Sequence, residues 1–415
     1  MIALTNVDQT KLLLGLLGAV ATGIILAAFY FTAAGRSRMW TIIVTPLASI
    51  IGSGFLVVAP LLYGNFGRGS VLAIILINVY ALGVGWVMRT NIRDFEPLLE
   101  NAHGGRFLLA TERLSNLALA ISYVVSIAFY ISLLSSFALE LFALREPLLV
   151  RGLTTLLLAA IGGYGFLRGL HGMERLEKVA VNSKLSIIGG LVVVLAVARI
   201  LPASGSATAR PLAAFNPGLH SLQILGGMLL ITQGFETARY LGKDYTRRER
   251  ARAMLLAQLI AAAIYVAFVA LAEPFSQTME QVDETAIIQL VGAVALGLPV
   301  VLSIAAIFSQ FGAGVADTVG TGGIVEEESR GRISRRVGYV IVCAMAIALI
   351  WVNDIFQVLT LASRAFAFYY ALQAVIATVV TRRQNPGQQR VAKLVFFPVL
   401  ALSLLLVAVF AISAH

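Results

Sequence analysis

Charge is scarce in this chain. Only 13% of its 415 residues are Asp, Glu, Lys or Arg, against about 25% in soluble domains. There is a single cysteine, Cys343, which excludes an internal disulfide and any thiolate-rich metal site. The four histidines, His103, His171, His220 and His415, are scattered without metal-ligand spacing. No G-x-x-x-x-G-K-S/T phosphate loop, G-x-S-x-G elbow or H-E-x-x-H pair occurs. ATPases and hydrolases of those kinds are therefore not encoded.

What fills the chain instead is apolar. Hydrophobic residues make up 59% and the mean hydropathy is +0.88. A soluble core stops growing near ~250–300 residues, so this composition excludes a water-soluble enzyme, a fibrous protein and a disordered tail. It predicts an all-α polytopic membrane protein, one membrane domain over 1–415. Charge-poor runs near the ~20 residues of a crossing fall at 12–35, 41–63, 70–88, 114–139, 152–167, 179–198, 219–240, 253–272, 285–316, 337–353, 355–381 and 394–414. That gives about twelve transmembrane helices. The run 285–316 is too long for one crossing and reads as a short lateral helix followed by a span from about Leu298. A signal peptide with Lys11 as its basic flank is the competing reading of the first run.

The basic residues orient the spans. With the N-terminus outside, the inner loops hold twenty-three Lys and Arg and the outer segments six. Both termini then lie outside a bacterial cytoplasmic membrane. The net charge of +10 is face charge and requires no nucleic-acid partner; the expected partners are the lipid bilayer and a small solute.

Two spans carry helix breakers at mid-length. One contains Pro46 and then Ile51-Gly52-Ser53-Gly54-Phe55; the other reads Thr232-Gln233-Gly234-Phe235-Glu236-Thr237. Unpaired backbone survives in hydrocarbon only where it lines a polar cavity, and interrupted helices in corresponding halves point to a transporter site. Freed amides attract an anion and freed carbonyls a cation; a zwitterion satisfies both. The other reading is that these glycines merely let helices pack closely. With the lead run 12–35 set aside, five spans separate the pair. An odd number gives the second five inverted topology, which divides the chain into repeats at 41–200 and 219–381 and a final helix at 394–414. The linker at 201–220 carries Pro202, Pro211 and Pro217.

These residues resemble the amino acid–polyamine–organocation transporter superfamily, with its LeuT-type 5+5 inverted repeat. Ile51–Phe55 is similar to that family's core-helix-1 signature and Gln233-Gly234-Phe235-Glu236 to its core-helix-6 signature. Gly169–Val179 resembles the basic loop before core helix 5. Thr246–Ala267, with Tyr265, resembles the start of core helix 7. The lead helix is extra, Lys243-Asp244 stands where the family shows a pair of acids, and Arg364 does not belong to the pattern. The resemblance implies alternating access by a secondary transporter of a small amino-bearing solute, foremost an amino acid. It implies no enzyme activity and no cofactor. The same fold moving an inorganic cation or another amine is one alternative, and a non-transporting sensor or assembly subunit is another.

Ionisable residues inside spans are costly and mark function. Lys184 lies where, by the resemblance, sodium-driven relatives hold their second sodium ion. It is therefore expected to couple protons or act as a fixed cation in place of sodium; otherwise it reaches back to the membrane surface. Glu236 is expected to accept a proton, hold a substrate amine or pair with Arg364, unless it forms a plain pair with Arg239 at i+3. Arg364 is expected to recognise a carboxylate or gate the cavity, or to pair with Glu236 or Asp317. Asp317 is expected to join Lys184 in proton coupling or to balance Arg330–Arg336. Tyr123 and Tyr130, seven residues apart, share a face that lines the cavity or simply packs. The substrate site expected from these readings is Ile51, Gly52, Ser53, Gly54, Tyr130, Gln233, Gly234, Phe235, Glu236 and Arg364.

Overall fold

The computed structural model describes residues 6–100, 105–144, 146–169, 174–201, 218–241, 245–279, 283–383 and 389–413. The linker predicted at 201–220 falls almost wholly outside them, as do residues 170–173 and Lys243-Asp244. The side chain of Ser53 is also outside the described set.

The helices run α1 Asn6–Phe31, α2 Arg38–Phe66, α3 Ser70–Thr90, α4 Glu96–Glu100, α5 Gly105–Glu140, α6 Pro147–Arg168 and α7 Glu174–Ile200. They continue with α8 Leu219–Gly227, α9 Arg247–Ala272, α10 Ala286–Val294, α11 Leu298–Glu328, α12 Arg335–Val352, α13 Ile355–Arg383 and α14 Arg390–Phe410. Among the described residues ten segments are long and apolar enough to cross a membrane. One of these, Gly54–Leu99, holds the end of α2 and all of α3, two crossings joined by a tight turn at Gly67–Gly69. The run at 285–316 divides as expected into α10 and α11, with the chain turning at Gly297 and Pro299 inside the first turn of α11. A proline there costs nothing, because the first amides of a helix have no partner.

The two segments expected to be interrupted behave differently. Through Gly52–Gly54 the hydrogen-bonded pattern of α2 is continuous, with Pro46 and Pro60 inside it; the expected break is absent. The second segment is broken. α8 ends at Gly227, a 3-10 turn covers Leu229–Thr232, Gln233-Gly234 belong to no helix, and a second 3-10 run covers Phe235–Leu241.

The packing has an internal symmetry. α5 lies against α11 and α6 against α12. α2 on α9 is answered by the broken segment on α3, and α5 on α13 by α11 on α7. Helices five apart in the order α2, α3, α5, α6, α7 and α8, α9, α11, α12, α13 thus exchange roles. The two flanking helices follow the same rule, α1 on α7 and α14 on α13. α5 is the axle: from Ser115 to Phe137 nearly every side chain is buried. Large apolar side chains such as Leu13, Val20 and Ile24 on α1 and Val399, Leu402 and Leu406 on α14 face outward, the pattern of a surface solvated by lipid.

Candidate functional site

The continuous helix of α2 still presents backbone to its neighbours. Ala48 O accepts from Lys184 Nζ at 2.8 Å, Ile50 O from the Tyr265 hydroxyl at 3.0 Å and Gly52 O from Gln310 Nε2 at 2.9 Å. Carbonyls have two lone pairs, so each takes a side-chain donor from α7, α9 or α11 beside its helical role. The missing Cβ atoms bring the partners in. A Cβ on Gly52 would lie 3.1 Å from Lys184 Nζ, and one on Gly54 would strike the backbone of Ile231. The close-packing reading of these glycines is the one the structure bears out. The two segments touch at this level: Gly54 packs on Ile231 and Gly234 on Ser49.

The broken segment is where the chain departs from helix. Gly234 has φ +114°, a region open only to glycine, and its position against Ser49 leaves no room for a side chain. Its N–H donates to Glu236 Oε2 at 3.0 Å, and the Tyr370 hydroxyl donates to the same oxygen at 2.7 Å. Glu236 is fully buried, and its Oε1 has no partner among the described residues. Beside it Gln233 Nε2 donates to the Tyr130 hydroxyl at 3.1 Å, while Gln233 Oε1 and Thr232 Oγ1 lack partners among the described residues. Phe235 stacks on Tyr370, ring centroids 5.4 Å apart. Thr237 closes the turn on Gly234 O at 2.7 Å. The Tyr265 hydroxyl, already on Ile50 O, also lies 2.7 Å from Ile231 O and ties the two segments together.

A small cavity lies between α2, α7 and α11, lined by Ile51, Gly52, Lys184, Ser309 and Gln310 among apolar neighbours. Ser309 Oγ and Gln310 Oε1 are without partners there among the described residues. Lys184 is 8% exposed and turned inward onto Ala48, so it does not reach for the membrane surface. Asp317 is buried two turns further along the Gln310 face of α11.

Two expectations are corrected. Arg364 is half-buried and faces α14. Its Nε and Nη2 donate to Ala408 O at 2.7 Å and Val409 O at 3.0 Å, capping the last carbonyls of that helix, where a cation is favoured. It therefore takes no place beside Glu236 in the site. Arg239 does not fold back on Glu236 either. It reaches Glu112 of α5 at 2.7 Å and lies 3.6 Å from Glu96, carboxylates brought to it from other elements, while Glu236 is turned to Gly234 and Tyr370. Gln310 escaped sequence reading; its signal was an amide in an otherwise apolar mid-span. Tyr370 escaped it too: Phe366, Phe368, Tyr369 and Tyr370 all follow Arg364 in the sequence, and nothing local sets one of the four apart.

The family described as APC superfamily transporter matches residues 32–411. A protein of Aquifex aeolicus (strain VF5), itself described as uncharacterized, is 44% identical over 370 residues, which is 88% of this chain and 90% of that one. Among solved structures the fold is similar to that of Mhp1, a nucleobase-cation-symport-1 family transporter in a closed conformation with bromovinylhydantoin bound. The TM-score is 0.55 and the identity 13%, over 91% of this chain and 92% of that one.

Proposed function

The chain belongs to the APC superfamily of transporters, and from that premise we propose that it is a secondary carrier of a small amino-bearing solute, working by alternating access and driven by protons. The observation that carries this reading is the Glu236 carboxylate. One oxygen is held by Gly234 N–H and Tyr370, and the other is buried without a partner among the described residues. A buried polar atom left open is costly, and an ammonium group or a proton satisfies it. Lys184, an ammonium in the cavity beside Gly52, repels sodium at that place, so proton coupling through Lys184, Glu236 and Asp317 is the consistent driving force. The arginine-rich end faces the cytoplasm and both termini face outward, in a bacterial cytoplasmic membrane.

An amino acid is the substrate that the family resemblance puts first. One observation favours a second reading, an amine without a carboxylate. The Gly234 N–H, the amide best placed to receive a substrate carboxylate at the break, is occupied by the protein's own Glu236. The nearby atoms without partners among the described residues, Gln233 Oε1 and the carboxylate oxygen Glu236 Oε1, accept and do not donate.

Thermal stabilisation of the purified protein by a solute panel tests this, at two pH values with and without sodium. The panel spans amino acids, amines lacking a carboxylate and inorganic cations, and hits go on to uptake in proteoliposomes. Stabilisation by amine-bearing solutes and pH-driven uptake are expected. Uptake that needs sodium and ignores pH overturns the coupling, and a panel without any hit favours the sensor or assembly alternative.

A further inference from the structure

The arginine-rich end holds a buried charge network that serves no solute site. Arg250, in the first turn of α9, grips Glu96 of α4 with both terminal nitrogens, at 2.6 and 3.1 Å, and donates to Arg239 O at 2.7 Å. Arg239, at the end of the broken segment, lies 3.6 Å from the same Glu96. Its Nη2 also donates to Glu112 Oε1 of α5 at 2.7 Å. The other oxygen of Glu112 accepts from Gln373 Nε2 of α13 at 3.2 Å, and that amide also donates to Ser115 Oγ at 2.8 Å. Asn91 donates to the Gln373 carbonyl at 2.9 Å and to its side-chain oxygen at 2.7 Å. The four charged side chains are 4–14% exposed.

These bonds are of two kinds. Glu96, Arg239, Arg250 and Asn91 all belong to the body made of α2, α3, the broken segment and α9 with their connections. Glu112 and Ser115 sit on α5, and Gln373 on α13. In the proposed alternating access, taken as a rocking of this body against the rest, Arg250–Glu96 would travel with it unbroken, whereas Arg239–Glu112 and Asn91–Gln373 would part. Asn91 itself opens a π turn, Asn91–Phe95, a distortion that often marks a functional position. Outside the network a cleft is lined by Glu112, Arg113, Asn116, Glu327, Glu328 and Arg330. Inward from Glu112, one face of α5 carries Ser115, Ser122, Ser126 and Tyr130, about 27 Å of helix, ending at the partner of Gln233. The buried hydroxyls of Ser122 and Ser126 bond to their own helix and keep acceptor lone pairs toward that face.

We propose that Arg239–Glu112, seconded by Asn91–Gln373, is the gate that closes the inner end of the transport path, and that Glu96 and Arg250 only brace the arginine that closes it. The proposal rests on the transporter reading, so its test does not use transport.

Ser122 is fully buried behind the gate and its hydroxyl donates to Ala118 O of its own helix, so Ser122→Cys is a mild reporter. With the one native thiol removed by Cys343→Ser, a membrane-impermeant thiosulfonate is applied to inside-out vesicles. Arg239→Gln and Glu112→Gln should each raise the labelling rate about tenfold, the population ratio a lost latch releases. Arg239→Lys, which keeps a charge for Glu112, should stay near the parent. Glu96→Gln should lower the melting temperature without raising labelling. Unchanged labelling in folded Glu112→Gln protein, or an equal rise in Glu96→Gln protein, would overturn the gate. A protein that labels as expected and yet moves no solute refutes the carrier reading and leaves the latch standing.

Discussion

Gly234 gives its backbone N–H to the carboxylate of Glu236 two residues later, at 3.0 Å. The chain thus fills its own helix break with its own anion. An amide that a helix would have used, and that a ligand would otherwise claim, is committed to a side chain whose second oxygen points elsewhere.

Gly234→Ala should fail structurally. The strain of φ +114° alone costs about 1–3 kcal/mol, and the added Cβ meets Ser49. The expected result is a lower melting temperature together with lost uptake, read by thermal denaturation in detergent and by proteoliposome uptake.

Glu236→Gln keeps the shape and removes the titrating group. Uptake should lose its dependence on pH, while the melting temperature falls only modestly because the Tyr370 hydroxyl still has an oxygen to donate to. A full pH profile of uptake decides; a profile identical to the parent's rejects Glu236 as the proton carrier. Tyr370→Phe removes one of the two donors on Glu236 Oε2, with an expected cost of about 1–3 kcal/mol.

Lys184→Met fills the volume without the charge. The Ala48 carbonyl loses its donor, and uptake driven by a pH gradient should drop to background without being restored by a sodium gradient. Retained pH-driven uptake would remove Lys184 from the coupling mechanism.

Arg364→Gln should leave uptake near the parent level. It should cost about 0.3–1 kcal/mol, the worth of a cation at an exposed helix C-terminus, seen as faster hydrogen exchange in the last turn of α14. Abolished transport with an intact α14 would return Arg364 to the solute path.

Span positions were legible because length and charge alone set them: the division at Leu298 followed from a run too long to cross once. Angle around the helix, not depth in the span, decides which side chains Arg364 can meet. Arg364 stands six residues before Tyr370, roughly 240° round the helix, and so on another face from the residue bonded to Glu236. The supposed break in α2 failed for a different reason. Pro46, Gly52 and Gly54 are breakers by local propensity, but donors 136, 215 and 258 residues away bond its carbonyls. No window of sequence contains both sides of those bonds. In the second segment the breaker and the anion that compensates it are two residues apart, so a short window of sequence contains both.

The Tyr265 hydroxyl sits between Ile50 O and Ile231 O but owns a single hydrogen. Turning about its C–O bond hands that hydrogen from one half of the molecule to the other, a torsion completed in nanoseconds or less. The dipole at the heart of the site can therefore swing between the repeats long before any helix has tilted.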